Sequence, residues 1–271
     1  QKMILRNPKE PLFDEPVENG FEAIDERTGE RLGCCVVHPE PNPALFPARP
    51  NNFRLEFAGE FSAFGKTLGA AMALARALAA REKEPARIYA ACPPEDDLLL
   101  AALEQYGFQD NDGLVRMELD FERLCETRMP AGCVLVEDEL TDAEERGFFL
   151  ERYNQLFQTA RDFSWLDEYT AADGFRRILC VSPTGLAGEL ICWREDGGIG
   201  RIGYLHTARR WRNMGVARHL LRLAGEYFED SGVSVVVADV RARIPLLLHT
   251  LESAGFCQTS LIMRYPGVDV G

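Results

Sequence analysis

Three arginines and a glycine between a predicted strand and a predicted helix form the segment with the clearest chemistry. The arginines lie within Arg209–Arg212, and Gly215 precedes a run of apolar residues at helical spacing that begins at Val216. A glycine at the start of a helix lets a bound group approach the backbone, and the first helical amides have no partner within the helix. Together with the positive end of the helix dipole, these groups predict a site for a phosphate or pyrophosphate.

Predicted elements on both sides hold this segment in place. Gly203–Thr207 is a short run of β-forming residues that leads into it. Downstream, Val233–Ala238 is typical of a buried strand, and Ile244–Ala254 is typical of a helix that Gly255-Phe256 ends. Leu261–Tyr265 supplies a further strand. The basic segment therefore lies in an alternation of strands and helices, which is typical of α/β proteins.

The order of these features resembles the GCN5-related N-acetyltransferase (GNAT) family. Arg212-Asn-Met-Gly215-Val-Ala217 is similar to the acyl-CoA loop signature of that family, Arg/Gln-x-x-Gly-x-Gly/Ala, and Gly255-Phe256 matches its second landmark. The resemblance covers residues 133–271 well. It implies an α/β (α+β) fold class, with an acyl-CoA N-acyltransferase-like mixed sheet flanked by helices.

The same resemblance implies acetyl-CoA as co-substrate and no metal. It places the thioester and the pantetheine arm along one strand and the pyrophosphate on the loop. The residues implied for the strand are Leu205, His206 and Thr207, and those implied for the loop are Arg212, Asn213, Met214, Gly215, Val216 and Ala217. Backbone groups would make these contacts, so the assignment does not depend on the side chains.

The side chains that handle protons in this family are not found at their usual places. The tyrosine that protonates the departing thiolate in many members is replaced by Leu251. The base positions early on the central strand hold Arg201 and Gly203, and neither residue is a plausible proton acceptor. The sequence therefore leaves the catalytic residues unassigned, although proton transfer through water needs no dedicated side chain.

His206 is a titratable residue on the predicted central strand. Side chains alternate between the two faces of a strand, so residue 206 is expected on the face opposite residues 201 and 203. This parity favours a core or structural histidine over a catalytic one. Three other candidate bases remain unranked: Glu189, Asp239 and His249.

A cluster of aromatic residues precedes the central strand. A helix that begins with the capping box Thr141–Glu144 carries several of them, and Phe163-Ser-Trp-Leu166 follows. In the family, the matching segment often lines the acceptor side of the site. An aromatic plug between helix and sheet is an equally good interpretation.

The N-terminal half repeats the order of the C-terminal half. Three predicted strands are followed by a helix over Leu68–Glu82, a strand and a second helix over Pro94–Tyr106. Gly107-Phe108 ends that helix, and Leu114–Leu119 is the next strand. The repeated order indicates an internal duplication.

We therefore predict two tandem acetyltransferase-like units. In the first, Lys66–Ala71 takes the place of the acyl-CoA loop, with lysine where the signature has arginine or glutamine. That unit is expected to be degenerate and to support the second. The predicted boundaries are a first unit over residues 1–120, a linker over 121–132 and an acetyltransferase domain over 133–271.

A nucleotide-binding P-loop is a competing interpretation of the first unit. Gly65-Lys66-Thr67 lies between a predicted strand and a predicted helix, as a P-loop requires. The spacing from Gly59 is one residue too long, and Glu60 occupies the position of the required glycine. A carboxylate there repels phosphate, which disfavours nucleotide hydrolysis.

Composition narrows the function class. The chain has 271 residues and a net charge of −13, which argues against nucleic acid as a general partner and is compatible with a cationic amine. Its eight cysteines form no C-x-x-C pair, which favours reduced core cysteines in a cytoplasmic protein. No apolar run approaches the length of a membrane span, so no membrane partner is expected.

The predicted function is an acyl-CoA-dependent N-acetyltransferase that passes an acetyl group from acetyl-CoA to a small-molecule or peptide amine. The alternative is a non-catalytic acyl-CoA-binding or scaffold protein that retains the fold, and Leu251 is its best support. The sequence indicates neither the acceptor nor the oligomeric state.

Overall fold

The structure is a computed structural model that describes residues 2–271. Its strands are β1 Met3–Arg6, β2 Gly20–Asp25, β3 Arg31–Pro39, β4 Asn51–Gly59, β5 Ala86–Ala90, β6 Gly113–Leu119, β7 Val134–Asp138, β8 Arg176–Ser182, β9 Gly185–Glu195, β10 Ile199–Thr207, β11 Val236–Arg241, β12 Phe256–Arg264 and β13 Gly267–Val270. Its α-helices are α1 Phe61–Glu82, α2 Asp97–Glu104, α3 Ala143–Phe157, α4 Phe163–Thr170, α5 Val216–Asp230 and α6 Pro245–Ser253. Short 3-10 helices lie at Val17–Asn19, Phe121–Arg123 and Arg209–Trp211.

The chain divides into two compact units, and the first is built mainly from the N-terminal half. It comprises the chain up to Gly113, residues 156–158 and residues 263–271. Its six-stranded sheet has the order β1-β2-β3-β4-β5-β13. Strands β1 to β4 are antiparallel neighbours, β4 and β5 are parallel, and β13 is antiparallel to β5. Phe64 and Leu68 of α1 are buried in the core beneath this sheet.

The second unit comprises residues 114–155 and 159–262. Its seven-stranded sheet has the order β12-β6-β11-β10-β9-β8-β7. Strands β7 to β10 are antiparallel neighbours, β10 and β11 are parallel, and β6 is antiparallel to β11. Leu220 and Phe228 of α5 are fully buried in its core. The prediction of mixed sheets flanked by helices is confirmed.

Each unit takes in one strand from the other half of the chain. β6 follows the helices of the first unit in sequence but lies between β12 and β11 in the second sheet. β13, near the C-terminus, pairs with β5 in the first sheet. The limits of the compact units therefore differ from the boundaries predicted at residues 120 and 133. The predicted linker, residues 121–132, belongs to the second unit, where Phe121 and Leu124 pack against the core.

A buried arginine fixes β13 in the first unit. Arg87 on β5 is only 1% exposed. Its guanidinium donates to Asn111 at 2.6 Å, to the carbonyl of Tyr265 at 3.0 Å and to Asp269 at 3.3 Å. Because a buried charge is costly unless it is paired and hydrogen-bonded, these contacts define the register of the exchanged strand.

Three further features of the structure concern disulfides, metal ligands and membrane-spanning helices. All eight cysteines are free. Within residues 2–271, no group of three or more histidine, cysteine or acidic side chains is arranged to hold a metal ion. None of the helices in that range has both the length and the apolar character that crossing a membrane requires.

Candidate functional site

The central feature of the second unit is a gap between two parallel strands. β10 and β11 pair only at Gly200 with Val236 and at Arg201 with Val237. Beyond this point β10 continues along β9, and β11 continues along β6, so their facing edges lose their pairing. Arg201 ties the strands together where they begin to diverge, because it donates to Asp239 of β11 across 2.7 Å.

A β-bulge interrupts β10 at the start of this gap. The pairing of β10 with β9 shifts register between Ile202 and Tyr204, which leaves Gly203 as the extra residue. A Cβ at position 203 would lie 1.9 Å from the ring of Trp193. Only glycine fits there, so the close approach of the indole and the bulge depend on one residue.

Neighbouring contacts show which face of β10 each residue occupies. Before the bulge, a Cβ at Gly200 would lie 2.9 Å from Phe228, so even-numbered residues face α5. After the bulge, Thr207 pairs with Gly188, where a Cβ would lie 2.4 Å from Val216 of α5. Odd-numbered residues therefore face α5 in the last part of the strand.

The bulge places His206 on the face opposite α5, together with Arg201 and Gly203. The prediction that His206 lies on the face opposite residues 201 and 203 is wrong, because strand alternation is interrupted at Gly203. Glycine inside a strand is a known sign of a bulge, so the sequence did contain a signal. The imidazole of His206 is half-buried, next to the Tyr204 ring with 6.4 Å between centroids.

Backbone groups of β10 are directed into the gap. The Ala208 amide donates to the carbonyl of Ala187, across 2.9 Å, toward β9. Because successive amides of a strand point to opposite sides, the N–H groups of Leu205 and Thr207 point away from β9, where β11 has already diverged. The amide of His206 points toward β9. Of the three strand residues predicted to bind the cofactor, two therefore present a free N–H and a free carbonyl to the gap.

The start of α5 adds a second group of free amides. Gly215 has a left-handed backbone with φ of +83°, and Asn213 has φ of +63°. Among residues 2–271, no side chain caps the start of α5. Within the described residues, the amides from Asn213 to Arg218 donate no hydrogen bond. They include the predicted loop residues Asn213, Met214, Gly215, Val216 and Ala217, and they form the kind of amide nest that binds anions.

Unpaired arginines flank these amides. The side chains of Arg209, Arg210 and Arg212 are exposed, and in residues 2–271 none of them forms an ion pair. Trp211, between them, packs against the core of the unit. The loop is thus anchored by one aromatic residue while its positive charges remain available to an anion.

The candidate base Glu189 is neutralised by two arginines. Its side chain is fully buried on β9. One oxygen accepts from Arg177 at 2.8 Å, and the other accepts from Arg152 at 2.9 Å. Both oxygens of this carboxylate are therefore occupied by charged hydrogen-bond donors. Neither arginine stands out in the sequence, where Arg177 is the second of two adjacent arginines at the start of β8.

Asp239, the second carboxylate candidate, is also paired. Arg116 binds it through two bonds of 3.0 and 3.1 Å, and Arg201 adds a third of 2.7 Å. Burial alone would raise the pKa of Asp239, but these hydrogen bonds lower it below its usual value. The structure therefore presents Asp239 as an anchor between strands and not as a base.

Helix α6 supplies no side chain that could protonate the departing thiolate. Leu251 is buried in the core at 2% exposure, so the place of the family's tyrosine carries no hydroxyl. His249 lies on the exposed side of the helix. No phenol or imidazole of α6 is therefore held in the interior of the unit.

An aromatic cluster covers the face of the sheet opposite α5. It joins α3, α4, β9 and β10, with ring centroids 4.7 to 6.4 Å apart. Its members are Phe149, Tyr153, Trp165, Tyr169, Phe175, Trp193 and Tyr204. Phe149 is fully buried, whereas Trp165 is half-buried under the guanidinium of Arg161. The cluster is thus packed in its interior and partly open at its rim.

The first unit has no counterpart of the loop. Its helix α1 begins at Phe61, directly after Glu60, so Lys66–Ala71 lies inside the helix and not before it. The hydroxyl of Thr67 is buried and donates to the carbonyl of Ala63 at 3.0 Å. The P-loop interpretation is therefore wrong, because Lys66 and Thr67 are not at a helix start.

Comparison with known proteins agrees with this geometry. Residues 136–256 match the model of the Acetyltransferase (GNAT) family. Residues 136–256 are therefore assigned to a GNAT domain, and members of that family generally use acetyl-CoA. A search of curated protein sequences finds no match.

Solved structures extend the likeness to both units. A GCN5-related N-acetyltransferase from Sphaerobacter thermophilus is 15% identical, with a TM-score of 0.51 over 95% of this chain and 82% of that one. A probable N-acyltransferase of unknown function from Enterococcus faecalis V583 is 14% identical, with a TM-score of 0.53 over 92% of this chain and 61% of that one. A GCN5-related N-acetyltransferase from Anabaena variabilis is 14% identical, with a TM-score of 0.53 over 93% and 63%. The chain spans less than two thirds of the latter two, and at these identities the likeness concerns the fold.

Proposed function

We propose that the second unit binds acetyl-CoA, or another acyl-CoA, and transfers the acyl group to an amine. The observation that carries this proposal is the presence of two groups of free amides, those of Leu205 and Thr207 beside the gap and those of residues 213–218 at the start of α5. The loop amides and the arginines match a pyrophosphate. The N–H of Leu205 is directed to where a thioester oxygen would be polarised, and the free groups of Thr207 match the amides of the pantetheine arm.

The acceptor is proposed to be a small-molecule or peptide amine. The net charge of −13 favours a cationic partner over an anionic one. Side-by-side binding of an amine and a thioester supplies much of the rate in such a transfer, since it replaces a bimolecular encounter.

Thermal unfolding with acetyl-CoA tests the binding step. Ligand at about 100 times its dissociation constant adds roughly 2.7 kcal/mol to the stability of the native protein. We expect a rise of a few degrees in Tm for the full chain. In Gly215→Glu, a carboxylate occupies the place of the pyrophosphate, so the rise should be absent.

Gly232→Glu is the matched control for that variant. Gly232 lies just beyond the other end of α5, has a similar φ of +75° and has open space where a Cβ would be, as Gly215 does. Its strain and charge are therefore comparable, but it should keep the response to acetyl-CoA. An unaltered response in Gly215→Glu would remove the loop from the proposed site.

The second candidate function is a protein that binds acyl-CoA without turning it over. Leu251 in place of a tyrosine and the pairing of Glu189 and Asp239 favour it. The two functions are distinguished by CoA release in the presence of amines: a binder is stabilised by acetyl-CoA but releases no CoA.

A further inference from the structure

His206 is an imidazole without a hydrogen-bond partner beside the proposed acyl site. It is half-buried on β10, and within residues 2–271 neither ring nitrogen forms a hydrogen bond. The other buried or half-buried histidines of the chain are occupied: His38 contacts Glu15 and Glu56, and His219 contacts the hydroxyl of Thr127 at 2.7 Å. Among the buried or half-buried histidines of residues 2–271, only His206 therefore has both ring nitrogens unoccupied.

Burial, assisted by two nearby arginines, favours the neutral form of the His206 ring. Burial lowers the pKa of His206 below its ordinary value of 6.5, and the guanidinium groups of Arg152 on α3 and Arg212 on the loop lower it further. Glu189, directly across on β9, acts in the opposite direction, but its two oxygens are engaged by arginines. The phenol of Tyr204, the other titratable neighbour, is neutral because burial raises its pKa. The imidazole is therefore able to accept a proton at neutral pH.

The position of His206 relative to the gap is set by the backbone. Leu205 and Thr207, on either side of it, direct their N–H groups into the gap, whereas the His206 side chain rises from the face opposite α5. An acyl carbonyl that accepts from the Leu205 amide would lie next to this side chain. A nucleophile attacks a carbonyl from above or below its plane, and α5 packs on one face of the sheet beside the gap. The face left for the amine is that of His206 and the aromatic cluster.

We propose that His206 is the catalytic base of the acyl transfer and returns the proton to the departing thiolate. This inference rests on the proposed function. A cationic acceptor first loses its ammonium proton to solvent. The lone pair of the neutral amine then attacks the thioester carbon, a C–N bond forms, and the imidazole takes an N–H proton from the attacking nitrogen and becomes imidazolium. The C–S bond then breaks with its electron pair on sulfur, and the thiolate receives the proton from the imidazolium. The products are an amide and CoA thiol, and the ring is neutral again.

Such a shuttle explains how the site works without a tyrosine on α6. Leu251 supplies no acid, and the two carboxylates near the gap are held by arginines. A single residue that first accepts and then donates the proton removes the need for a second one.

The test uses the full chain with His206→Gln, which keeps a polar side chain but does not titrate. CoA release from acetyl-CoA is followed by chromatography, with water as the only acceptor and then with phenethylamine. The phenyl ring of this amine can pack against the aromatic cluster on the face of the sheet opposite α5. We expect kcat to fall by about 10²- to 10⁴-fold with both acceptors. The KM for acetyl-CoA and the rise in Tm that it causes should not change.

The pH profile separates a catalytic role from a structural one. A base must be neutral, so the wild-type rate should fall as pH drops through the pKa of His206, below 6.5. This acid limb should be missing in His206→Gln. It should be present in the control His219→Gln, because burial also lowers the pKa of the His219 imidazole but that ring contacts Thr127.

Three results would overturn the proposal. They are an unchanged kcat in His206→Gln, a loss of acetyl-CoA binding that accounts for the loss of rate, and a wild-type protein that binds acetyl-CoA but releases no CoA to either acceptor. Absence of any Tm response to acetyl-CoA in the wild type is a different result, because it removes the proposed function itself.

Discussion

The two units place a long helix after the fourth strand of their sheets, but these helices begin in different ways. In the first unit only Glu60 separates β4 from α1, and its carboxylate lies at the helix start. In the second unit residues 208–215 separate β10 from α5 and carry three unpaired arginines. The parallel strands differ too, since β4 and β5 pair along the whole of β5, whereas β10 and β11 separate after two pairs.

The packing beneath the two helices is nevertheless alike. A glycine on the third strand lets the first helical turn approach the sheet in each unit. A Cβ at Gly33 would lie 2.9 Å from Ala63, and a Cβ at Gly188 would lie 2.4 Å from Val216. Both units therefore have the same contact between helix and sheet, but only the second has an anion site. That site needs a connecting loop and a gap between strands in addition to the contact.

The largest effect is expected from the buried arginines, which differ in how their partners are exposed. Arg177→Met leaves Glu189, at 0% exposure, with one partner fewer. Removing one member of a buried ion pair costs about 3–5 kcal/mol. Arg87→Met should cost less, because the side chain of its partner Asp269 is 44% exposed and can be solvated. Calorimetric Tm values of both variants test this order, and a greater loss in Arg87→Met would contradict it.

An intermediate effect is expected where the helices meet the sheets. Gly188→Val and Gly33→Val each insert a side chain against a first helical turn, which should destabilise the protein by about 1–3 kcal/mol. Only Gly188→Val displaces the free amides of α5. It should therefore also abolish the rise in Tm with acetyl-CoA, and Gly33→Val should retain that rise. Loss of the response in both variants would mean that the two helix starts are not independent.

The smallest effect is expected from single exposed charges. Arg210→Ala removes one unpaired guanidinium of the loop and should weaken acetyl-CoA binding by about 1 kcal/mol or less, as is usual for solvated charge pairs. The difference from wild type should shrink as salt is added. Lys66→Ala, in the first unit, is the control and should leave the dissociation constant unchanged. Titration calorimetry at two salt concentrations measures the dissociation constants of both variants. An equal effect of Lys66→Ala would contradict the prediction that only the loop of the second unit binds acetyl-CoA.

The family fold could be predicted because its signals are local. The loop residues Arg212–Ala217 and the closing Gly255-Phe256 carry backbone requirements that are visible as residue types. The start of α1 could not be predicted, because residues 61–67 include glycine and β-branched threonine, which are poor helix formers in isolation. Burial of Phe64 and Thr67 overrides that weak propensity.

The site was predictable in its backbone and not in its side chains. The free amides of the loop follow from a glycine before a helix, which the sequence displays. The face of His206 depends on one bulge, and a single inserted residue reverses every later assignment on the strand. The pairing of Glu189 with Arg152 and Arg177 connects β9 with α3 and β8. A contact between distant elements cannot be predicted from a local sequence pattern.

The exchanged strands also determine when each sheet can be completed during synthesis of the chain. The edge of β5, whose residues are all buried in the finished molecule, is completed by β13 at Gly267–Val270. At about 5–20 residues per second, a ribosome needs on the order of ten seconds or more between these segments. The first unit emerges early but cannot close its sheet until the last strand arrives. During that interval the edge of β5 exposes unpaired backbone N–H and C=O groups, which can pair with strands of other chains.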